Sequence, residues 1–169
     1  SDVWSGKRER DIALDGIDEI LNPSWAPDGH AIAFTGVRQG LTDLYVYDLG
    51  TASLDRLTQD AYADMHPVWA PDSRRIAFAT DRFSSDVAAL RMGELRLGII
   101  DAGTRALQAL RGFDNGKHIN PQWSADGDAL DFIGAPDGVS NIYRLSLASG
   151  QLTQLTALPI GVSGISPSS

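Results

Sequence analysis

One short sequence motif occurs three times in the chain with nearly the same residues. The copies occupy residues 22–29 (NPSWAPDG), 66–73 (HPVWAPDS) and 120–127 (NPQWSADG). Trp25 and Trp69 are 44 residues apart, and Trp123 follows 54 residues after Trp69. A motif that returns at a near-constant interval indicates a repeat architecture in which each copy belongs to one supersecondary unit. The longer second interval predicts an insertion in that unit.

Each copy of the motif is followed by three short segments with the alternation of β-strands. In the first unit these are residues 32–34, 44–49 and 54–58. Period-two alternation with β-branched and aromatic residues is typical of strands, and the Pro-Asp-Gly residues of the motif are typical of a turn. Four strands per unit, joined by short turns and repeated about every 40–45 residues, predict the blades of a β-propeller.

We therefore predict an all-β fold, a β-propeller segment with three complete four-stranded antiparallel blades and partial blades at both ends. The predicted units are residues 1–21 (remnant of a preceding blade and a connecting loop), 22–58, 59–110 and 111–156 (three blades) and 157–169 (start of a following blade). Within the second blade, residues 82–94 form an insertion, where Ser84–Asp86 could cap a short helix over residues 87–90. Because propellers close with about four to eight blades, we expect either a longer parent chain or associated copies to complete the ring.

Composition excludes several classes of function. The net charge of −8 argues against a protein that binds nucleic acid non-specifically, because such proteins need a basic surface. No apolar run is long enough to span a bilayer, so we predict no membrane insertion. The chain has no cysteine, which excludes disulfides, thiolate metal sites and a cysteine nucleophile.

The repeated residues also carry a resemblance to a known family. The pattern Pro-x-Trp-(Ser/Ala)-(Pro/Ala)-Asp-Gly, then Ile-Ala-Phe, then Asp-Leu-Tyr or Asn-Ile-Tyr, then Leu-Thr, resembles the WD40-like PD40 repeat of TolB-type propellers. The same repeat is found in tricorn-type and prolyl-oligopeptidase-like proteases. The resemblance implies an exported, often periplasmic bacterial protein, with the propeller as a binding platform or as a filter over an enzyme domain.

Most residues that could carry chemistry have a simpler structural explanation. We expect the motif tryptophans to pack between neighbouring sheets, because a large ring in the same place of every unit is typical of a core. We expect the motif aspartates to form hydrogen bonds with the backbone of their own turns. His66 and His118, predicted in loops of one face, would need carboxylates such as Asp60, Asp64 or Asp114 to form a metal site, and no spacing matches such a site. We predict no catalytic residue, no metal site and no cofactor.

Binding is predicted on one face of the propeller. Loops from a fourth strand to the next first strand share this face with loops between second and third strands, and all the long loops of the chain belong to these two classes. Long loops on a rigid scaffold commonly carry binding, although their length can also vary without function. The predicted contact residues are Arg38, Asp60, Tyr62, Asp64, His66, Arg82, Arg91, Asp114, Lys117 and His118.

The leading hypothesis is a non-catalytic interaction module that binds a protein or peptide through this long-loop face. The alternative is the accessory propeller of a hydrolase, which gates access to a peptidase domain outside this chain. A third hypothesis, a sugar- or metal-dependent propeller enzyme, lacks the histidine cluster that it would need.

Overall fold

The computed structural model describes residues 12–159 and 161–165. Within them the chain forms twelve strands and no helix, arranged as three four-stranded antiparallel sheets in which the strands follow chain order. The all-β prediction and the three complete blades are confirmed. No helix in the described residues is long and apolar enough to cross a membrane.

The three sheets are called blades 1, 2 and 3. Blade 1 contains β1 (Glu19–Trp25), β2 (Ala31–Arg38), β3 (Leu41–Asp48) and β4 (Ser53–Arg56). Blade 2 contains β5 (Asp64–Trp69), β6 (Arg75–Thr80), β7 (Arg96–Asp101) and β8 (Leu107–Ala109). Blade 3 contains β9 (His118–Trp123), β10 (Ala129–Gly134), β11 (Asn141–Ser146) and β12 (Leu152–Gln154). The first strands lie innermost, since β1 contacts β5 and β5 contacts β9 across the blade boundaries.

The motif aspartates close the turns between first and second strands. The carboxylate of Asp28 accepts the backbone N–H of His30 at 2.9 Å, and Asp72 and Asp126 accept the N–H two residues ahead of them at 2.9 and 3.1 Å. These bonds confirm that the aspartates serve their own turns, because a short carboxylate can satisfy the turn backbone locally.

Two of the three motif tryptophans pack between blades. Trp69 is 7% exposed and lies in a core cluster with Ala33 and Leu44 of blade 1. The indole N–H of Trp123 donates to the carbonyl of Val68 in blade 2 at 3.1 Å. For Trp25 the packing prediction is wrong within the described residues, since this ring is 60% exposed and no described sheet precedes blade 1.

The insertion of blade 2 forms a hairpin, and the predicted helix is wrong. Asp86 and Arg91 exchange two backbone hydrogen bonds of 2.8 and 2.9 Å, which close a four-residue turn. The Asp86 carboxylate accepts the N–H of Ala89 at 3.0 Å and pairs with the Arg91 guanidinium at 3.0 Å. Its side chain therefore caps a turn instead of a helix, because the backbone reverses after four residues. Residues 86–91 are called the insertion hairpin.

The insertion also places an aromatic ring beside Gly98 of β7. Phe34 and Phe132 pair in register with Tyr45 and Tyr143 of the neighbouring strands, whereas Phe78 pairs with Gly98. A Cβ at Gly98 would lie 3.2 Å from both the Phe78 ring and the ring of Phe83, from the insertion. Phe83 thus takes up space beside Gly98 that the equivalent tyrosine would need.

The predicted partial blades fall largely outside the described residues. Strands predicted over residues 3–14, and the predicted new first strand at residues 165–167, lie mostly in the parts that the structure does not describe. Strand β1 begins at Glu19, three residues before the predicted start of the first blade. The segment around Val162 runs back toward blade 3, where its N–H donates to the carbonyl of Ser140 at 2.9 Å.

Candidate functional site

Each innermost strand contains a β-bulge at the same place in the motif. The pairing register shifts between Leu21 and Ser24 in β1, and equivalent shifts occur in β5 and β9. The first extra residue is Asn22, His66 or Asn120, with φ of 50°, 54° and 56°. Such left-handed backbone is uncommon for residues other than glycine. A proline follows each of the three, and it brings no backbone N–H to the interrupted ladder.

These three residues meet in one cavity, called the axial pocket. Its volume is about 220 Å³, and its lining also includes Ser24 and Gln122. Among the described residues, no acidic residue, arginine or lysine lines it. The pocket therefore offers side-chain amides, a hydroxyl and an imidazole, all of which bind through neutral hydrogen bonds.

His66 is the titratable group of the axial pocket. Its Nδ1 atom is buried and has no hydrogen-bond partner in the described residues. Burial lowers the pKa of His66 below its ordinary value, so the ring is neutral at pH 7. A neutral imidazole with an unpaired nitrogen can exchange a hydrogen bond with a ligand.

Sequence reasoning found His66 but not its two partners. Asn22 and Asn120 occupy the position before the motif proline, the same position as His66. The polar residue before each motif proline was the signal that could have identified Asn22 and Asn120 as lining residues. It was missed because the bulge that brings these residues together is visible only in the strand register.

Four predicted contact residues form one cluster at the boundary between blades 1 and 2. The Arg82 guanidinium contacts the Asp60 carboxylate at 3.0 Å and the Asp64 carboxylate at 2.6 Å. It also lies 5.3 Å above the centre of the Tyr62 ring. Arg82 therefore joins the 59–63 loop to the end of β6.

A third carboxylate, which sequence reasoning missed, completes this cluster. Asp43 of blade 1 is fully buried and pairs with Arg56 at 2.5 Å. Carboxylate oxygens of Asp43, Asp60 and Asp64 lie within 4.8 Å of one another, in an arrangement that could hold a cation. Two guanidinium groups already contact these carboxylates and compensate two of the three charges. Burial raises the pKa of Asp64 despite the neighbouring Arg82.

His118 lies at the boundary between blades 2 and 3, in strand β9 and not in a loop. It is 1% exposed, its Nε2 accepts the N–H of Phe113 at 2.8 Å, and its Nδ1 lies 3.0 Å from the Arg96 guanidinium. Burial and the positive charge of Arg96 lower the pKa of His118 to about 4. Both ring nitrogens are engaged inside the protein, which makes His118 a support of the 112–117 loop and not an open ligand.

The four remaining predicted residues are exposed. Arg38 ends β2, Arg91 pairs with Asp86 on the insertion hairpin, and Lys117 precedes β9. Asp114 is exposed, while its backbone carbonyl accepts a bond from Arg96 at 2.6 Å. The ten predicted residues thus divide among the cluster, the axial pocket, the 112–118 segment and two separate positions, Arg38 and Arg91.

Comparison with known proteins agrees with this architecture. The family model described as the TolB beta propeller domain, PD40, matches residues 1–87, which is half of the chain. The chain belongs to the PD40 family of TolB β-propellers. The resemblance stated from the sequence motif is thereby confirmed.

Similar proteins include both TolB and peptidases. Dipeptidyl-peptidase 5 of Porphyromonas gingivalis is 25% identical over 163 residues, covering 83% of this chain and 21% of the peptidase. The structure of TolB from Acinetobacter baumannii matches with a TM-score of 0.68 and 23% identity, over 85% of this chain and 33% of TolB. Puromycin hydrolase matches with a TM-score of 0.68 and 20% identity, over 92% of this chain and 25% of the hydrolase. The PD40 chain therefore spans a third or less of these proteins.

Proposed function

We propose that this PD40 segment is a non-catalytic module that binds a protein or peptide, with the axial pocket as the polar centre of its binding surface. The observation that carries the proposal is the convergence of Asn22, His66 and Asn120 in one cavity. Asp64 belongs to the cluster at the boundary between blades 1 and 2, and it lies two residues before His66 in the same strand. The pocket therefore adjoins the predicted long-loop face. A ligand on that face can reach both.

The lining favours a peptide over a charged ligand. A peptide group carries one donor and one acceptor, and an asparagine amide offers both. Within the part of the chain that the structure describes, no charged residue lines the pocket to compensate a buried ionic group, and burial of an unpaired charge is costly. Left-handed backbone in non-glycine residues is also enriched at sites where a side chain must be held for binding.

Titration with a peptide backbone tests this proposal. The probe is N-acetyl-triglycine amide, and the readout is the NMR signal of the His66 ring, with the exposed His30 as internal control. We expect His66 alone to shift at millimolar probe. Replacement of Asn22 and Asn120 by glycine, which accepts a positive φ, should weaken binding at least tenfold.

A matched control is Gln39→Gly, which changes another left-handed residue outside the pocket (φ 52°). This variant should bind the probe as the parent does. Absence of a His66 shift up to 20 mM probe, chosen on the order of weak fragment affinities, would refute the peptide assignment, as would an equal loss in the control.

A gating role is the second candidate, and the similarity to dipeptidyl-peptidase 5 favours it. In that case the ligand of the axial pocket is a substrate on its way to a peptidase domain outside this chain. Cleavage of long peptides by the parent protein should then depend on Asn22 and Asn120 more than cleavage of dipeptides does. We further propose an exported, periplasmic location and a ring completed by the rest of a longer chain or by further copies, in line with the resemblance to TolB.

A further inference from the structure

The outer edge of blade 1 is covered by a side chain from blade 2. Arg105, in the turn between β7 and β8, donates to the backbone carbonyl of Arg56 at 2.6 Å and pairs with the carboxylate of Asp55. Both partners belong to β4, the last strand of blade 1. An edge strand presents unpaired backbone groups to which another strand can add. Arg105 therefore occupies the place of such an added strand.

The corresponding turn of blade 3 has the same backbone but a glycine in place of the arginine. In blade 2 the N–H of Arg105 donates to the carbonyl of Asp101 at 2.8 Å. In blade 3 the N–H of Gly150 donates to the carbonyl of Ser146, also at 2.8 Å. The φ angles are alike, 61° at Arg105 and 70° at Gly150. Gly150 is therefore the counterpart of Arg105, and this position places no side chain over the edge of blade 2.

A groove lies beside Gly150, at the outer rim of the boundary between blades 2 and 3, and is called the rim groove. Its volume is about 200 Å³. One wall consists of residues 108–111 of blade 2, and the other consists of residues 145–147 and Gly150 of blade 3. Leu145 and Leu147 make the second wall apolar, and a Cβ at Gly150 would meet no atom within 4 Å. The groove therefore has room for a ligand.

Strand β8 directs unpaired backbone groups away from β7. The N–H of Leu110 donates to β7 at 3.0 Å, and the carbonyl of Ala106 accepts an N–H of β7 at 3.0 Å. Since alternate residues of an antiparallel strand bond to the same neighbour, the backbone groups of Leu107 and Ala109 point to the open side. Ala109 has the same register position as Arg56 of blade 1. In the part of the chain that the structure describes, no group outside blade 2 bonds to the Ala109 carbonyl.

We propose that the rim groove binds an extended peptide segment, which adds to β8 as a fifth strand of blade 2. The boundary between blades 1 and 2 supports this occupant, because there the equivalent carbonyl accepts an N–H donor from outside its own sheet. A peptide strand carries the N–H and carbonyl groups that Leu107 and Ala109 lack, and its alternate side chains reach the apolar wall. The site lies at an outermost strand, apart from the axial pocket, and the inference stands without the proposed function.

Two side chains of the groove indicate the composition of the peptide. Gln108 stands where blade 1 has Asp55, the carboxylate partner of Arg105. Without that negative charge, the groove favours a neutral backbone N–H over a guanidinium. Arg111 lines the same wall, is exposed and makes no ion pair within the described residues. Its charge favours an acidic side chain in the peptide.

Amide NMR of the full chain tests the proposal. The probe is the peptide acetyl-Glu-Val-Thr-Leu-Thr-amide, whose apolar residues alternate, and a second probe has Gln in place of Glu. We expect the first probe to slow hydrogen exchange at the N–H groups of Leu107 and Ala109 at least fivefold. Exchange at Gln108, whose N–H faces β7, should change less than twofold. Protection of alternate N–H groups distinguishes an added strand from a side chain that only enters the groove.

Gly150→Arg should close the rim groove, because it places an arginine at the position equivalent to Arg105. We expect probe binding at least tenfold weaker than in the parent chain. The matched control is Gly138→Arg in the turn between β10 and β11, where φ is 89° and a Cβ would also meet no atom within 4 Å. This control adds the same charge at another left-handed glycine, and it should bind within twofold of the parent. Conversely, Arg105→Gly should expose β4 to the probe.

The proposal is overturned if exchange at Leu107 and Ala109 is unchanged up to about 10 mM probe, on the order of weak peptide affinities. It is also overturned if Gly150→Arg binds within twofold of the parent chain. A shift of the His66 ring without protection of β8 would support the axial pocket and overturn the rim groove. Equal affinity of the Glu and Gln probes would overturn the acidic preference.

Discussion

The two boundaries between blades place side chains of different charge at the same backbone positions. Asp43 in β3 and Arg96 in β7 are equivalent, since each lies two residues before the partner of the core phenylalanine. Asp64 and His118 are likewise equivalent, because each begins an innermost strand. At the first boundary two buried carboxylates face each other, and at the second an arginine faces a neutral histidine.

The compensation also differs between the two boundaries. Arg56 and Arg82 bring positive charge to the first boundary, while backbone carbonyls of the 112–117 loop accept the bonds of Arg96 at the second. Blade 3 shows a third solution, in which the Thr156 hydroxyl donates to Asn141, the neutral counterpart of Asp43, at 3.0 Å. The propeller scaffold therefore requires a hydrogen-bonded polar group at this position and not a particular charge.

Loss of Arg82 should have the largest effect on stability. Arg82→Ala leaves Asp64 buried with an uncompensated charge, and breaking one partner of a buried pair costs about 3–5 kcal/mol. Urea unfolding at pH 7 measures the change. The control is Arg91→Ala, which breaks the exposed pair with Asp86 and should cost less than about 1 kcal/mol. Equal effects would contradict a special role of the first boundary.

A fall in pH should make the boundary between blades 2 and 3 less stable and the boundary between blades 1 and 2 more stable. The pKa of His118 is lowered to about 4 from 6.5, so the folded state binds fewer protons and its stability falls as the pH drops from about 6.5 toward 4. The full contribution, roughly 3 kcal/mol, is present above pH 6.5. His66, also lowered, acts in the same direction. The raised pKa of Asp64 acts oppositely, because its protonation favours the folded state as the pH falls.

Unfolding of His118→Gln between pH 7 and pH 4.5 tests this difference. Its stability should fall less over this range than that of the parent chain, whereas Asp64→Asn should make the decline steeper. If the stability of His118→Gln falls as much as that of the parent chain between these pH values, the assignment of His118 as a buried neutral ring is contradicted.

Arg96→Ala should have an intermediate effect at the second boundary. It removes the donor for two loop carbonyls, which costs about 1–3 kcal/mol, and it removes a positive charge beside His118, so the pKa of that ring should rise. Hydrogen exchange across residues 111–118 should accelerate, while exchange in the 59–64 segment should not. Uniform acceleration in both segments would show that Arg96 does not act locally.

Lys117→Glu should have the smallest effect on stability. Lys117 is exposed, so its charge reversal should change the unfolding free energy by less than about 0.5 kcal/mol. If the 112–117 loop contacts a partner, the same variant should lower the affinity for that partner, as measured by calorimetry. The expected combination is altered binding with an unaltered melting curve.

The sequence predicted those parts of the fold that depend on local pattern. Alternation in the 44–49 and 142–147 segments, and the Asp28 turn, depend on neighbouring residues only, and the structure agrees with them. The helix over 87–90 was wrong because Asp86 can cap either a helix or a turn, and only the closure with Arg91 decides between them.

The site was predicted only in part, because its geometry depends on contacts between blades. Arg82, Asp60 and Asp64 were identified as loop residues, but their ion pairs were not. Asp43 and Arg96 were missed because each lies inside a strand, where period-two alternation gives no sign of a partner in the next blade. Residues at blade boundaries become predictable once the equivalent positions of successive repeats are aligned.

The most direct test of the axial pocket is a pH titration of the three histidine rings by NMR in the parent chain and in Asn22→Gly/Asn120→Gly. We predict that the pKa of the His66 ring lies below its ordinary value of 6.5, and that its NMR signal moves when the two asparagines are replaced. A His66 ring that titrates at or above 6.5, with an NMR signal unchanged by both replacements, would contradict the convergence of three blades on one pocket.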